Sequence, residues 1–232
     1  MRVLLLRSSE GAGPWRDALT AHGFRVQVED VIAYRFTGEA AMLARLARPQ
    51  DYDGLILTSP RTADAWKRTP EARRLLAAWA GMPTYAVGPR TAQDALELGL
   101  RPEGQDRGSA GGLADYIIGR RPRLPLLFCS GSPRRPELPG RLAAAGIALD
   151  ECVVYRSEVG DAPPMPEPPE WVVFFSPRVF EAAIRWDWPW DRVRVAAVGS
   201  TTARVATEAG LCRARAGYAD PEGLADRMAF QS

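Results

Sequence analysis

The sequence predicts an α/β protein of two similar lobes, each built on a parallel sheet, and three observations predict it. Strand-forming apolar runs alternate with helix-like stretches across junctions of two to four residues, the spacing of strand–helix units rather than of hairpins. Part of the chain is written twice: residues 86–100 (AVGPRTAQDALELGL) and 197–211 (AVGSTTARVATEAGL) agree at nine of fifteen positions, where chance gives about one. The junction Ser-Pro-Arg, closing an apolar run and opening a helical pattern, also occurs twice, in LTSPRTADAW at 57–66 and FFSPRVFEAA at 174–183.

Taken in order, copy one reads as strand 3–6, helix 14–22, strand 24–28, strand 54–57, helix 60–66, strand 84–87 and helix 91–98. Gly99 and Gly210 close their helices, where a left-handed cap is wanted. An offset of 111 also carries GGLADYI at 111–117 onto EGLADRM at 222–228, so copy one covers about 1–118 and copy two about 124–232. The matched segments DVIAYR at 30–35 and ECVVYR at 151–156 sit mid-copy, where the pattern changes. Read as connectors, they make the front of copy one pair with the back of copy two. The expected division is 1–33 plus 158–232 as one discontinuous α/β domain and 37–153 as the second, with crossings at 34–36 and 154–157. Both lobes are expected to be flavodoxin-like or Rossmann-like. The Pro-rich stretch 156–170 reads as a loop or linker.

Composition narrows the class. Apolar residues make up 46% and charged residues 25%, as in ordinary globular proteins. A net charge of +2 argues against nucleic acid as the partner. Lys67 is the single lysine among 30 basic residues, and arginine suits carboxylates and phosphates through paired hydrogen bonds. Three scattered cysteines cannot close into a disulfide framework, the one histidine is His22, and neither a signal peptide nor a membrane span is legible. The expectation is a cytoplasmic protein without a metal site.

The repeated junctions carry the chemistry. In an open α/β sheet, loops leaving the carboxyl ends of the strands border the ligand crevice. Ser59 and Ser176 stand where an N-cap belongs and the following prolines where the first helical residue does. Gly88 and Gly199 permit a tight turn, and Thr91 and Thr202 put hydroxyls into the first helical turn. Each is readable as a cap and nothing else; together, free N–H groups, helix dipoles and hydroxyls make anion sites. No GxGxxG follows a strand, and neither GxxxxGK[ST] nor GxSxG is present. A reaction here relies on positioning and hydrogen bonding.

In their order, TSP and FFSP, the two AVGxxTA stretches, the GL after the second helix and VVYR resemble the uroporphyrinogen-III synthase family over essentially the whole chain. The resemblance implies two α/β lobes joined by a two-stranded ladder, with the active site in the cleft between them. It implies a cofactor-free lyase of tetrapyrrole (haem, sirohaem, cobalamin) biosynthesis that closes hydroxymethylbilane into uroporphyrinogen III, with inversion of ring D and loss of water. Tyr155 matches the family's tyrosine near the cleft, as the group that helps the hydroxyl leave or as an aromatic packing at a strand end. Arg7, Thr58, Ser59, Gly88, Thr91, Ser176, Gly199, Thr201 and Thr202 are the candidate substrate-binding positions. One departure is CSGSPRRP at 129–136, where relatives often carry an Arg-Gly turn; Arg134 and Arg135 are the candidates for that place. A monomer is expected, with the bilane as partner, transient contact with the enzyme that supplies it, and neither nucleic acid nor membrane. The rival reading is a non-catalytic two-lobed anion-binding or sensor module.

Overall fold

The computed structural model describes residues 1–217 and 220–231. The chain divides into two compact units, Met1–Ala33 with Glu158–Ser232, and Tyr34–Ser157. From the start of the chain come β1 (Arg2–Leu6), α1 (Gly13–Ala21) and β2 (Arg25–Glu29), followed by β3 (Ile32–Phe36) at the crossing. The middle of the chain supplies α2 (Glu39–Leu46), β4 (Gly54–Leu57), α3 (Pro60–Arg68), α4 (Pro70–Leu76), β5 (Pro83–Ala86), α5 (Gly88–Glu97), β6 (Arg101–Glu103), α6 (Ala110–Arg120), β7 (Leu126–Ser132) and α7 (Glu137–Ala144). After β8 (Leu149–Val159), the first unit is completed by β9 (Trp171–Phe174), α8 (Pro177–Ala183), β10 (Arg194–Val198), α9 (Ser200–Glu208), β11 (Cys212–Ala216) and α10 (Pro221–Phe230).

The first unit holds a five-stranded sheet in the order β2-β1-β9-β10-β11, parallel throughout. The second holds a six-stranded sheet, β3-β8-β7-β4-β5-β6, parallel from β8 to β6. With β3 set aside and the other strands numbered within each copy, both sheets run 2-1-3-4-5, strands 2 and 1 coming from one copy and 3, 4 and 5 from the other. The inner strands are short apolar runs such as VLLL, GLIL and WVVF, buried on both faces, while β2 and β11 alternate as edge strands do. Trp66 and Trp79 fill the core of the second unit; Trp171, Phe174 and Phe180 fill that of the first.

The tyrosine segments are more than connectors. Thr37 N donates to the Val154 carbonyl (3.0 Å) and Gly160 N to that of Val31 (2.8 Å), so β3 and β8 run antiparallel. But β8 also pairs with β7 as far as Ser132↔Arg156, and it continues into the stretch read as loop. Cys152 and Val154 on this strand are buried in the core of the second unit. Helix α5 likewise begins at Gly88 rather than 91.

A polar cluster anchors β8. Asp150 accepts from the Tyr52 hydroxyl (2.6 Å) and from Arg45 Nε (2.9 Å). Burial alone would raise the Asp150 pKa, but these two bonds outweigh it and hold the carboxyl below its ordinary range. Burial first, and then the bond to Asp150, push the Tyr52 phenol up to about 12. Both shifts stabilise the fold between the two ranges: the depressed carboxyl contributes above its unfolded pKa of about 4, and the raised phenol contributes below about 10. Tyr52→Phe should cost about 1–2 kcal/mol near neutrality. In urea unfolding, the gap between wild type and this variant should narrow as the pH falls below about 4 or rises above about 10. A gap that stays constant from acid to alkali would show that Tyr52 and Asp150 are not coupled.

Candidate active site

Because the strands other than β3 are parallel, their carboxyl ends meet one edge of each sheet, and the loops leaving that edge carry most of the candidate residues. In the first unit Arg7 follows β1, Ser176 follows β9, and Gly199 follows β10. β1 and β9 are neighbours that the chain leaves in opposite directions, the switch point at which open sheets take ligands. Here the Arg7 guanidinium lies 4.4 Å from the Phe175 ring centroid, and Phe175 meets Trp15 edge-on at 5.1 Å. The head of Arg7 fills the space a Cβ on Gly11 would need. Partial burial lowers its pKa, and among the described residues no carboxylate pairs with it. Arg7 is therefore a cation held on an aromatic face with its charge available.

The remaining residues of this edge differ in access. Ser176 is half-buried and caps nothing with its hydroxyl. Gly199 has φ +85°, a conformation that requires glycine, and starts α9. Thr201 is exposed, whereas Thr202 is fully buried with no partner for its hydroxyl among the described residues. The Thr201 hydroxyl is open to solvent; Thr202 is sealed beneath the helix start.

The second unit repeats the plan. Thr58 and Ser59 follow β4, with Ser59 accepting from Arg61 N (3.2 Å) as a true N-cap. Gly88, at φ +79°, follows β5, and Thr91 is buried on α5. The Thr62 hydroxyl donates to the Cys129 carbonyl (3.0 Å), tying α3 to β7 next to the switch point between β7 and β4.

Tyr155 stands one strand away, on β8. Ser130 pairs with Val153 but Gly131 pairs with Tyr155, so Val154 is an extra residue on β8. Such bulges re-aim the side chains after them. The re-aimed phenol lies across Gly131, where a Cβ would overlap its ring. Tyr34, the duplicate of Tyr155, meets it edge-on at 6.0 Å, and Arg61 stacks on Tyr34 at 4.5 Å while pairing with Asp64 at 2.9 Å. Gly131, Tyr34, Arg61 and Phe175 were not among the expected residues, although the duplication itself pairs Tyr34 with Tyr155. Arg134, a candidate in the departing loop, is committed to Glu151 through two bonds of 2.8 Å, and Arg135 is exposed.

The family model described as uroporphyrinogen-III synthase HemD matches residues 14–226. The chain is 31% identical over 180 residues to the uroporphyrinogen-III synthase of Saccharomyces cerevisiae, a match covering 64% of each protein. Among solved structures, the uroporphyrinogen-III synthetase of Helicobacter pylori superposes with a TM-score of 0.62 at 15% identity, covering 93% of this chain and 92% of that one. A mutant uroporphyrinogen III synthase of Thermus thermophilus superposes with a TM-score of 0.57 at 19% identity, covering 100% and 99%. These two likenesses establish the shared α/β fold, and with the family model matched along most of its length, the chain belongs to the uroporphyrinogen-III synthase family.

Proposed function

We propose that the protein is a uroporphyrinogen-III synthase, a cyclising lyase of tetrapyrrole biosynthesis acting on hydroxymethylbilane. The observation that carries this reading is the family match over residues 14–226; the hydrogen-bond donors at the carboxyl edges suit its substrate. The bilane carries eight carboxylates, and Arg7, Thr58, Ser59, Ser176, Thr201 and the turns at Gly88 and Gly199 would each take a share, with Thr91 and Thr202 behind them. Hydrogen bonds from neutral donors and one unpaired guanidinium hold such a polyanion by many modest contacts.

Chemically the reaction is a rearrangement without redox change. The hydroxymethyl C–O bond breaks as the hydroxyl takes up a proton and leaves as water, and the pyrrole nitrogen's electrons give an azafulvene. Ring D attacks that carbon through its substituted position to form a spiro centre, which fragments and recloses inverted. Tyr155 is the proposed donor to the departing oxygen, a modest task because the pyrrole is electron-rich. Most of the work is orientation, since only a folded substrate yields the inverted product. A cytoplasmic monomer that meets the bilane-supplying enzyme transiently completes the reading. Among the described residues no helix is long and apolar enough to cross a membrane.

Bilane generated in situ, treated with the protein, oxidised and resolved by chromatography should yield isomer III; isomer I alone would favour the binding-module reading. Tyr155→Phe should lower kcat by about tenfold or more and leave KM within about twofold. Gly131→Ala should lower kcat comparably, since its Cβ displaces the phenol; full activity in both variants would remove Tyr155 from the chemistry. Arg7→Gln should instead raise KM by about tenfold, and an unchanged KM would mean that Arg7 meets no substrate carboxylate.

A further inference from the structure

We infer that a pocket of about 670 Å³ in the first unit, between α9, the end of β11 and α10, is a subsite for one pyrrole ring of the bilane with its acetate and propionate arms. The inference rests on the synthase reading and adds a site to it. The floor is small and apolar, built from Gly199, Ala203 and Ala216, and open enough for a flat ring. Around it stand three guanidinium groups, Arg204, Arg215 and Arg227, against one lining carboxylate, Glu208.

The charges favour a ligand with carboxylates. Arg204 is bound by Glu208 through contacts of 2.8 and 3.0 Å, and Arg227 by Asp220 at 2.7 Å. The first pair is largely exposed and the second a little under half exposed, and such surface pairs are weak enough to exchange partners with an incoming carboxylate. Arg215, at the end of β11, has no carboxylate partner among the described residues. Ser200 adds an exposed hydroxyl at the start of α9, where the helix N–H groups are unpaired. A free phosphate would satisfy the guanidinium groups but leave the apolar floor uncovered; a pyrrole bearing two carboxylates satisfies both. The pocket also shares its edge with Arg7. β10 lies two strands from β1, about 10 Å at ordinary strand spacing, so neighbouring rings of one linear tetrapyrrole can engage both.

The test compares wild type, Arg215→Gln and, as a control with equal charge loss outside the pocket lining, Arg213→Gln. Steady-state turnover of the bilane is measured beside fluorescence titration with uroporphyrin III, the stable oxidised octacarboxylate. Arg215→Gln should raise both KM and the dissociation constant by about tenfold with kcat within about twofold, and Arg213→Gln should match wild type. If wild type makes isomer III but Arg215→Gln behaves as the control does, the subsite is wrong and the synthase reading stands. If wild type makes no isomer III yet Arg215→Gln still loses uroporphyrin, the synthase reading fails while a polycarboxylate–pyrrole site remains. A fall in kcat at constant KM and unchanged titration would also overturn the subsite.

Discussion

Pairing between strands from opposite halves of the duplication is the constraint on which the rest depends. Leu4 beside Val172 and Leu5 beside Val173 join β1 to β9; Leu55 beside Leu127 joins β4 to β7. All six residues are buried, so each pairing combines main-chain hydrogen bonds with apolar burial on both faces. A slip of one residue would turn every side chain to the opposite face. With the register held, neighbouring strands finish level, and the loops after β1, β9 and β10, or after β7, β4 and β5, arrive along one edge.

Each carboxyl edge is selective in which charges it leaves uncommitted. In the second unit Arg134, which follows β7, is bound by Glu151, so a ligand would have to displace a carboxylate to use it. Arg7 rests on Phe175 instead. An aromatic face orients a guanidinium without neutralising it, which keeps the charge for an incoming anion. The two halves of the duplication also diverge at their helix starts: the Ser59 hydroxyl serves its own helix, while that of Ser176 does not. One copy has kept the cap, and in the other the hydroxyl oxygen caps nothing.

Much of this was legible in the sequence, and what was not has identifiable causes. The continuous apolar runs and the repeated AVG and SPR junctions disclose the parallel α/β fold, and Gly88 and Gly199 disclose turns that only glycine can make. The bulge at Val154 left no mark, because it depends on how β8 meets β7 rather than on local pattern. For the same reason Gly131 reads as an ordinary loop glycine until the ring of Tyr155 is seen across it. Burial of Thr91 and Thr202 was hidden as well: position in a first helical turn says that a hydroxyl is near the edge, not which way the helix faces.

The discontinuous first unit has a consequence for biosynthesis. Its opening strand leaves the ribosome long before residues 171–174, the β9 partner that covers its flank. Tyr34–Ser157 is meanwhile translated as one uninterrupted stretch holding nearly all the strands of its own sheet. Covalent order thus lets the inserted unit mature first, while VLLL, flanked early by β2 on one side, waits for residues 171–174 to cover the other.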